Sequence, residues 1–174
     1  MRRHLAYLRY VLRHKWFVLV AGWHLVLCPL HRLLLHDMSK FRPSEWFPYA
    51  RTFYNEDGSK RYDETPEFPR AWLLHQHRNS HHYQAHVLLE DSGKVIPLDM
   101  PTIDIMEMLA DWAGAGRAIT GRDKTTAAWY VANKDKMQLH PRTRSLVEDM
   151  LDAVPELFGE FPPEWFTLVV NLKG

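Results

Sequence analysis

Apolar residues in this chain recur at intervals of three and four almost wherever they form a pattern, and they alternate with polar ones in a single stretch. Leu5, Leu8, Leu12, Trp16 and Leu19 follow the first rule, with Arg and Lys between them, which predicts one long amphipathic helix from about His4 to Leu27. Pro29 suits the first turn of a second helix that ends near Asp37. Pro43 and Ser44 begin a third, EWFPYARTFY, which Pro48 should shorten or bend. NEDGSKRYDETP reads as an exposed loop, and a fourth helix is expected from Glu67 to Arg78, ending at Asn79 and Ser80. The alternating stretch is YQAHVLLE and KVIPL on either side of Asp91, Ser92 and Gly93, the pattern of a β-hairpin. Pro101 then opens a strong helix, TIDIMEMLADWAGAGRAI, and TTAAWYVANKDKM and PRTRSLVEDMLDAV supply two more before an aromatic tail. The expectation is one mostly α domain over residues 1–174, a helical bundle with a small β-hairpin.

A chain of 174 residues is long enough to bury a core of its own. Its formal charge of +1 creates no field that would draw nucleic acid, so that class of partner is not expected. Cys28 is the sole cysteine, which excludes an internal disulfide and any cysteine-paired zinc site. A metal site must therefore use nitrogen and oxygen. The chain has 11 histidines, where about four would follow from a typical share near 2%. The apolar run from Trp16 to Leu30 contains His24, ends at Pro29 and spans fewer than the roughly 20 residues of a membrane helix; no small-residue cleavage pattern follows it. A buried helix in a soluble, cytoplasmic protein without a membrane partner is expected, and a homo-oligomer is left open.

Four pieces of sequence carry candidate chemistry. In LLLHDMSKF, His36 and Asp37 are adjacent and Lys40 follows; neighbours on a helix point about 100° apart, but at a helix end both can converge on one ion. His14 lies about as far before the turn between the first two helices as His36 lies after it, within about one helical turn, so the two can face each other. The bland reading of His14, between Arg13 and Lys15, is a solvated basic face. HQHRNSHHYQAH holds His75, His77, His81 and His82, which suit either metal or an anion-binding patch. His75 and His77 are two apart and so on different faces. Asp111 stands beside the apolar positions Ile105, Met108, Leu109 and Trp112, where a buried acid needs a partner or a metal. Its bland alternative is that Asp104, Glu107 and Asp111 form an ordinary solvated stripe.

In chain order, His14, His36 with Asp37, the histidine cluster and Asp111 resemble the HD-domain superfamily of metal-dependent phosphohydrolases. LLLHDMSK is similar to that superfamily's LLHDxGK helix end, and ADWAGAGRA to its later AD helix. The resemblance covers roughly residues 5–120, the metal-site core, with C-terminal helices over 121–174. Ser39 stands where glycine is usual, and the interval from His14 to His36 is shorter than is common. The HDxSKF and NxHH motifs also resemble a small uncharacterised family of bacteria and their phages. The resemblance implies that His14, His36, Asp37 and Asp111 hold one divalent ion (Mn, Co, Ni, Fe, Zn or Mg), and that His75 with His81 or His82 adds a second or steadies the substrate. It implies a small phosphate substrate, a nucleotide or related ester, attacked by metal-bound water. Asp37, Lys40 and Arg78 are the candidate catalytic residues, Lys40, Arg78 and Arg117 the candidate phosphate ligands, and Asn79 either orients a histidine or phosphate or caps the helix. Two other functions are compatible with these residues: an iron-dependent oxygenase on the same ligands, and a non-catalytic metal- or nucleotide-binding protein. Trp72, Tyr83, Trp112, Trp129 and Tyr130 are candidates for stacking on a base, or else core.

Overall fold

The computed structural model describes residues 1–24, 28–120 and 126–153. Residues 25–27, at the predicted end of the first helix, the segment 121–125 and the aromatic tail from 154 lie outside the described residues. The elements are α1 (Arg2–His24), α2 (Leu30–Leu35), α3 (Pro43–Phe53), α4 (Phe68–Arg78), β1 (Val87–Leu89), β2 (Val95–Pro97), α5 (Thr102–Thr120), α6 (Thr126–Asn133) and α7 (Pro141–Ala153), with short 3₁₀ turns at Met38–Phe41, Tyr83–His86 and Lys134–Lys136. This is the mostly α fold with one small hairpin that the periodicity predicts. Among the described residues, no helix is long and apolar enough to cross a membrane.

Helix α1 forms where expected but buries a different face. Leu5, Leu12 and Trp16 of the leucine stripe are 48%, 53% and 37% exposed, while Tyr7, Val11, His14, Val18 and Ala21 are buried. These five recur at steps of four and three, the same helical period rotated around the axis. Small or polar residues form the inner face because α1 packs closely on α5. A Cβ on Gly114 of α5 would lie 2.6 Å from the backbone nitrogen of Val18, so glycine there permits an approach that any other residue blocks.

Pro48 does not end α3, which continues to Phe53. Its ring removes one N–H, the one that would reach back to Ser44, while Tyr49, Ala50 and Thr52 anchor the following turn by burial. The hairpin is shorter than predicted, since Tyr83–His86 is a 3₁₀ turn. Its antiparallel register pairs Val87 with Pro97, Leu88 with Ile96 and Leu89 with Val95.

Three apolar clusters surround a polar centre. Tyr7, Val11, Tyr49 and Phe68 join α1, α3 and α4. Val18, Ala21, Leu33 and Ala110 join α1, α2 and α5. Ile105, Met108, Leu109, Tyr130, Val147 and Leu151 join α5, α6 and α7. Removing this area from water supplies the drive, at about 25 cal/mol per Å² of apolar surface, and leaves the centre between the clusters to charged side chains.

Candidate metal centre

The centre begins with the backbone at the end of α2. That helix stops at Leu35, two residues earlier than predicted; His36 is extended (φ −47°, ψ 130°), and Asp37 is left-handed (φ 57°, ψ 21°). Among the described residues Asp37 is the only non-glycine with positive φ, a conformation that costs about 1–2 kcal/mol outside glycine. The turn releases His36 and Asp37 from the divergence that a helix would impose and points both inward. Lys15 of α1 braces it, its ammonium donating to the carbonyls of Leu34 (3.2 Å) and His36.

Four atoms from three parts of the chain then converge. His14 Nε2 lies 3.1 Å from Asp37 Oδ2 and 3.1 Å from Asp111 Oδ1. His36 Nε2 lies 3.3 Å from the same two oxygens and 3.3 Å from His14 Nε2. An ion with bonds of about 2.1 Å sets neighbouring ligands about 3.0 Å apart in an octahedron and about 3.4 Å apart in a tetrahedron, so the separations suit either. All four belong to one group of potential ligand atoms. His14, His36 and Asp37 are buried, and the Asp111 side chain is 13% exposed.

The other oxygen of Asp37 faces a second set. His75 Nε2 is 3.3 Å and His81 Nε2 3.6 Å from Asp37 Oδ1, and His82 Nε2 is 3.0 Å from His75 Nε2. Among the described residues Asp37 Oδ1 and His81 Nε2 are buried with no hydrogen-bond partner, a costly state for polar atoms that a bound ion would relieve. The donor set fits one ion on Asp37 Oδ2 and has ligands for a second on Asp37 Oδ1.

An outer layer of carboxylates sets the orientation of the rings. Glu107 Oε1 accepts from His36 Nδ1 at 3.0 Å and faces His81 Nδ1 at 3.1 Å, and Glu107 Oε2 accepts from Arg32 Nε at 2.7 Å. Glu45 Oε2 faces His75 Nδ1 at 3.0 Å and accepts from Ser39 Oγ at 2.8 Å, while Glu45 Oε1 accepts from Arg78 at 2.6 Å. A proton held on Nδ1 by a carboxylate leaves the Nε2 lone pair pointing inward, as metal-binding imidazoles require. His36, His81 and Glu107 also lie close enough to share an ion, but the two imidazole groups and Arg32 already satisfy this carboxylate.

Charge follows the same plan. Among the described residues, Asp37, Glu45, Asp104, Glu107 and Asp111 are ion-paired to only three permanent cations, Lys40, Arg32 and Arg78, the rest of their partners being histidines. The excess of two negative charges equals the charge of a divalent ion. In the metal-free protein it falls on protons: burial opposes charge on His36, but Asp37, with hydrogen bonds to Asp111, Asp37 and Glu107, holds its pKa well above the usual range. Burial would raise the Asp37 and Asp111 carboxyls, yet His36 and Lys40 hold the first, and His14 and His36 the second, well below theirs. Burial, reinforced by His81, drives His82 well down and keeps it neutral.

Residues 3–153 match a family of unknown function, DUF5662. The chain belongs to that family. No curated protein and no solved structure matches it.

In this DUF5662 chain the structure brings together His14, His36, Asp37, His75, His81, His82, Asp111 and Lys40, whose ammonium pairs with Asp37 Oδ2. His77 points away and is exposed. Arg78 is placed on Glu45 and Ser44 and reaches the candidate ligands only through Glu45, whereas Asn79 sits on Ser39, the His75 carbonyl and, at 3.2 Å, His75 Nδ1 itself. Arg117 is buried with its guanidinium 6.0 Å from the Phe17 ring centre. The solvated stripe is overturned, since Asp104 and Glu107 are buried with Arg32 between them. Sequence reasoning missed Glu45, Glu107 and Arg32. Glu107 stands four residues before Asp111, the one available signal; Glu45, inside PSEWF, carries none.

Proposed function

We propose that this chain is a divalent-metal-dependent phosphohydrolase that acts on a small phosphate ester. The convergence of His14, His36, Asp37 and Asp111 at 3.1–3.3 Å, with Nδ1 of the inward-facing His36 and His75 fixed by Glu107 and Glu45, carries the reading. It also supports the resemblance to the HD-domain superfamily. A bound ion would supply an acidified water and an electrophile for the phosphoryl oxygens. His14, His36 and Asp111 would hold that ion, and Asp37 would serve both donor sets through its two oxygens. Lys40, buried against Asp37, keeps that carboxylate ionised and supplies a fixed positive charge at the candidate ligands, where charge on phosphoryl oxygens would need neutralising. Arg78, through Glu45, and Asn79, directly and through Ser39, act as positioning residues on His75.

The test loads the chelator-stripped protein with Mn²⁺, Co²⁺ or Ni²⁺ and measures phosphate release from a panel of nucleotides and aryl phosphates. Release by the wild type, lost in Asp37→Asn and Asp111→Asn, is the expected result. Metal-loaded protein that releases none from the panel rejects the reading. Iron-dependent oxygen consumption in its place would assign these ligands to the oxygenase chemistry.

A further inference from the structure

Beside the histidine and aspartate cluster lies a cavity of about 340 Å³. His81, His82 and Asp111 form one end of it, so the space opens directly onto potential ligand atoms. The remaining wall combines the rings of Trp72, Tyr83, Trp112 and Trp129 with Met108, Met137, Asn133 and Lys136. Trp112 and Trp129 pack with ring centres 5.0 Å apart at 54°, and Trp72 stacks on His75 at 5.7 Å and 25°. Trp72 and Trp129 are 38% and 44% exposed, although both line the cavity. Gln84 lines it too, and its Oε1 is buried without a hydrogen-bond partner. A buried acceptor left unpaired costs about 1–3 kcal/mol, and a donor arriving with a ligand removes that cost.

We propose that this cavity holds the base of a nucleotide whose phosphate lies at the metal ligands, with Trp112 and Trp129 against the ring and Gln84 accepting from an exocyclic amine. The inference rests on the phosphohydrolase reading for the phosphate end only. A sugar or polyol phosphate would need several free polar partners, whereas Asn133 and Lys136 in this wall already bond to each other and Asn133 to the Trp129 carbonyl, which leaves the aromatic faces and the Gln84 acceptor, the chemistry of a flat heterocycle with an N–H edge. The volume is within the range of small-ligand pockets, at its lower end, which suits one nucleoside unit.

The experiment separates the base from the phosphate. Metal-free, full-length protein is titrated with adenosine, cytidine and their counterparts lacking the exocyclic amine, purine riboside and the 4-deamino pyrimidine riboside, and with ribose 5-phosphate. Tryptophan fluorescence reports binding. The expected result is saturable binding of at least one amino-bearing nucleoside, about fivefold or more tighter than its deamino partner, with ribose 5-phosphate far weaker. Trp129→Ala should weaken the nucleoside about tenfold, and Gln84→Leu should erase the preference for the amine while circular dichroism and metal content stay unchanged. Equal binding of both pairs by wild type, or no nucleoside binding, overturns the proposal. Nucleoside binding of this kind without phosphate release from any ester supports the base site and rejects the hydrolase reading. Release from aryl phosphates with no nucleoside preference does the reverse.

Discussion

Glu107 gives one oxygen to two imidazoles and the other to a guanidinium, so its charge orients two rings from outside the candidate ligand set. Glu107→Gln keeps the shape and loses the charge; metal affinity should fall about 10–100-fold with the fold intact, as read by calorimetric titration. Lys40 is nearly buried against Asp37. Lys40→Met should destabilise the metal-free protein by about 3–5 kcal/mol, because a buried carboxylate loses its fixed cation, and saturating Mn²⁺ should restore most of that. Melting in chelator and in Mn²⁺ checks it: equal losses in both would refute a role tied to the charge of Asp37. At this scale the side chains that converge, His14, His36, Asp37 and Asp111, were legible in the chain as candidate ligands, since a metal site without cysteine would need imidazole and carboxylate. Their outer partners were not, because a carboxylate that faces Nδ1 looks in sequence like any surface acid.

The approach of α1 to α5 places His14 beside Asp111, and Gly114 sets it. Gly114 follows Asp111 by three residues and meets Val18, four residues after His14, so separation of the backbones there separates the ligands one turn away. Gly114→Ala should cost about 1–3 kcal/mol by overpacking and weaken metal binding along with stability. Among the described residues an added Cβ at Gly116 meets nothing within 4 Å; Gly116→Ala should be neutral or stabilise by up to about 1 kcal/mol through helix propensity. Denaturant titration and metal titration of the pair decide the point, and similar behaviour of the two variants would count against the close-packing account. The periods of α1, α4, α5 and α7 were plain in the sequence, as was the existence of the hairpin. The face that α1 buries was not, because its leucines repeat with the same period as the Tyr7, Val11, His14, Val18 stripe.

Across the whole molecule the centre stores opposing charges that protons or metal must balance. Without metal, Asp37, Asp111, Glu107 and Glu45 titrate below their ordinary range in the folded state. The unfolded chain then binds more protons in acid, so their contribution is present above about pH 4 and is lost as pH falls through the folded values. His36 has the opposite sign: its raised pKa contributes stability below about pH 6.5 that is lost as pH rises through its folded value. A bound divalent ion would take the place of that proton. Melting temperatures across about pH 4 to 9 should therefore fall on the alkaline side in chelator and hold in Mn²⁺, and a parallel fall under both conditions would show that His36 is not a ligand.

The sequence by itself determined the elements and the chemistry of the donors, since helix period, turn residues and ligand type are local properties readable from neighbours in the chain. Tertiary structure alone decided which face of α1 turns inward, the left-handed turn at Asp37, and the pairing of Glu45 and Glu107 with particular rings. Those depend on which segments meet, and burial and ion pairing are properties of the meeting rather than of either segment.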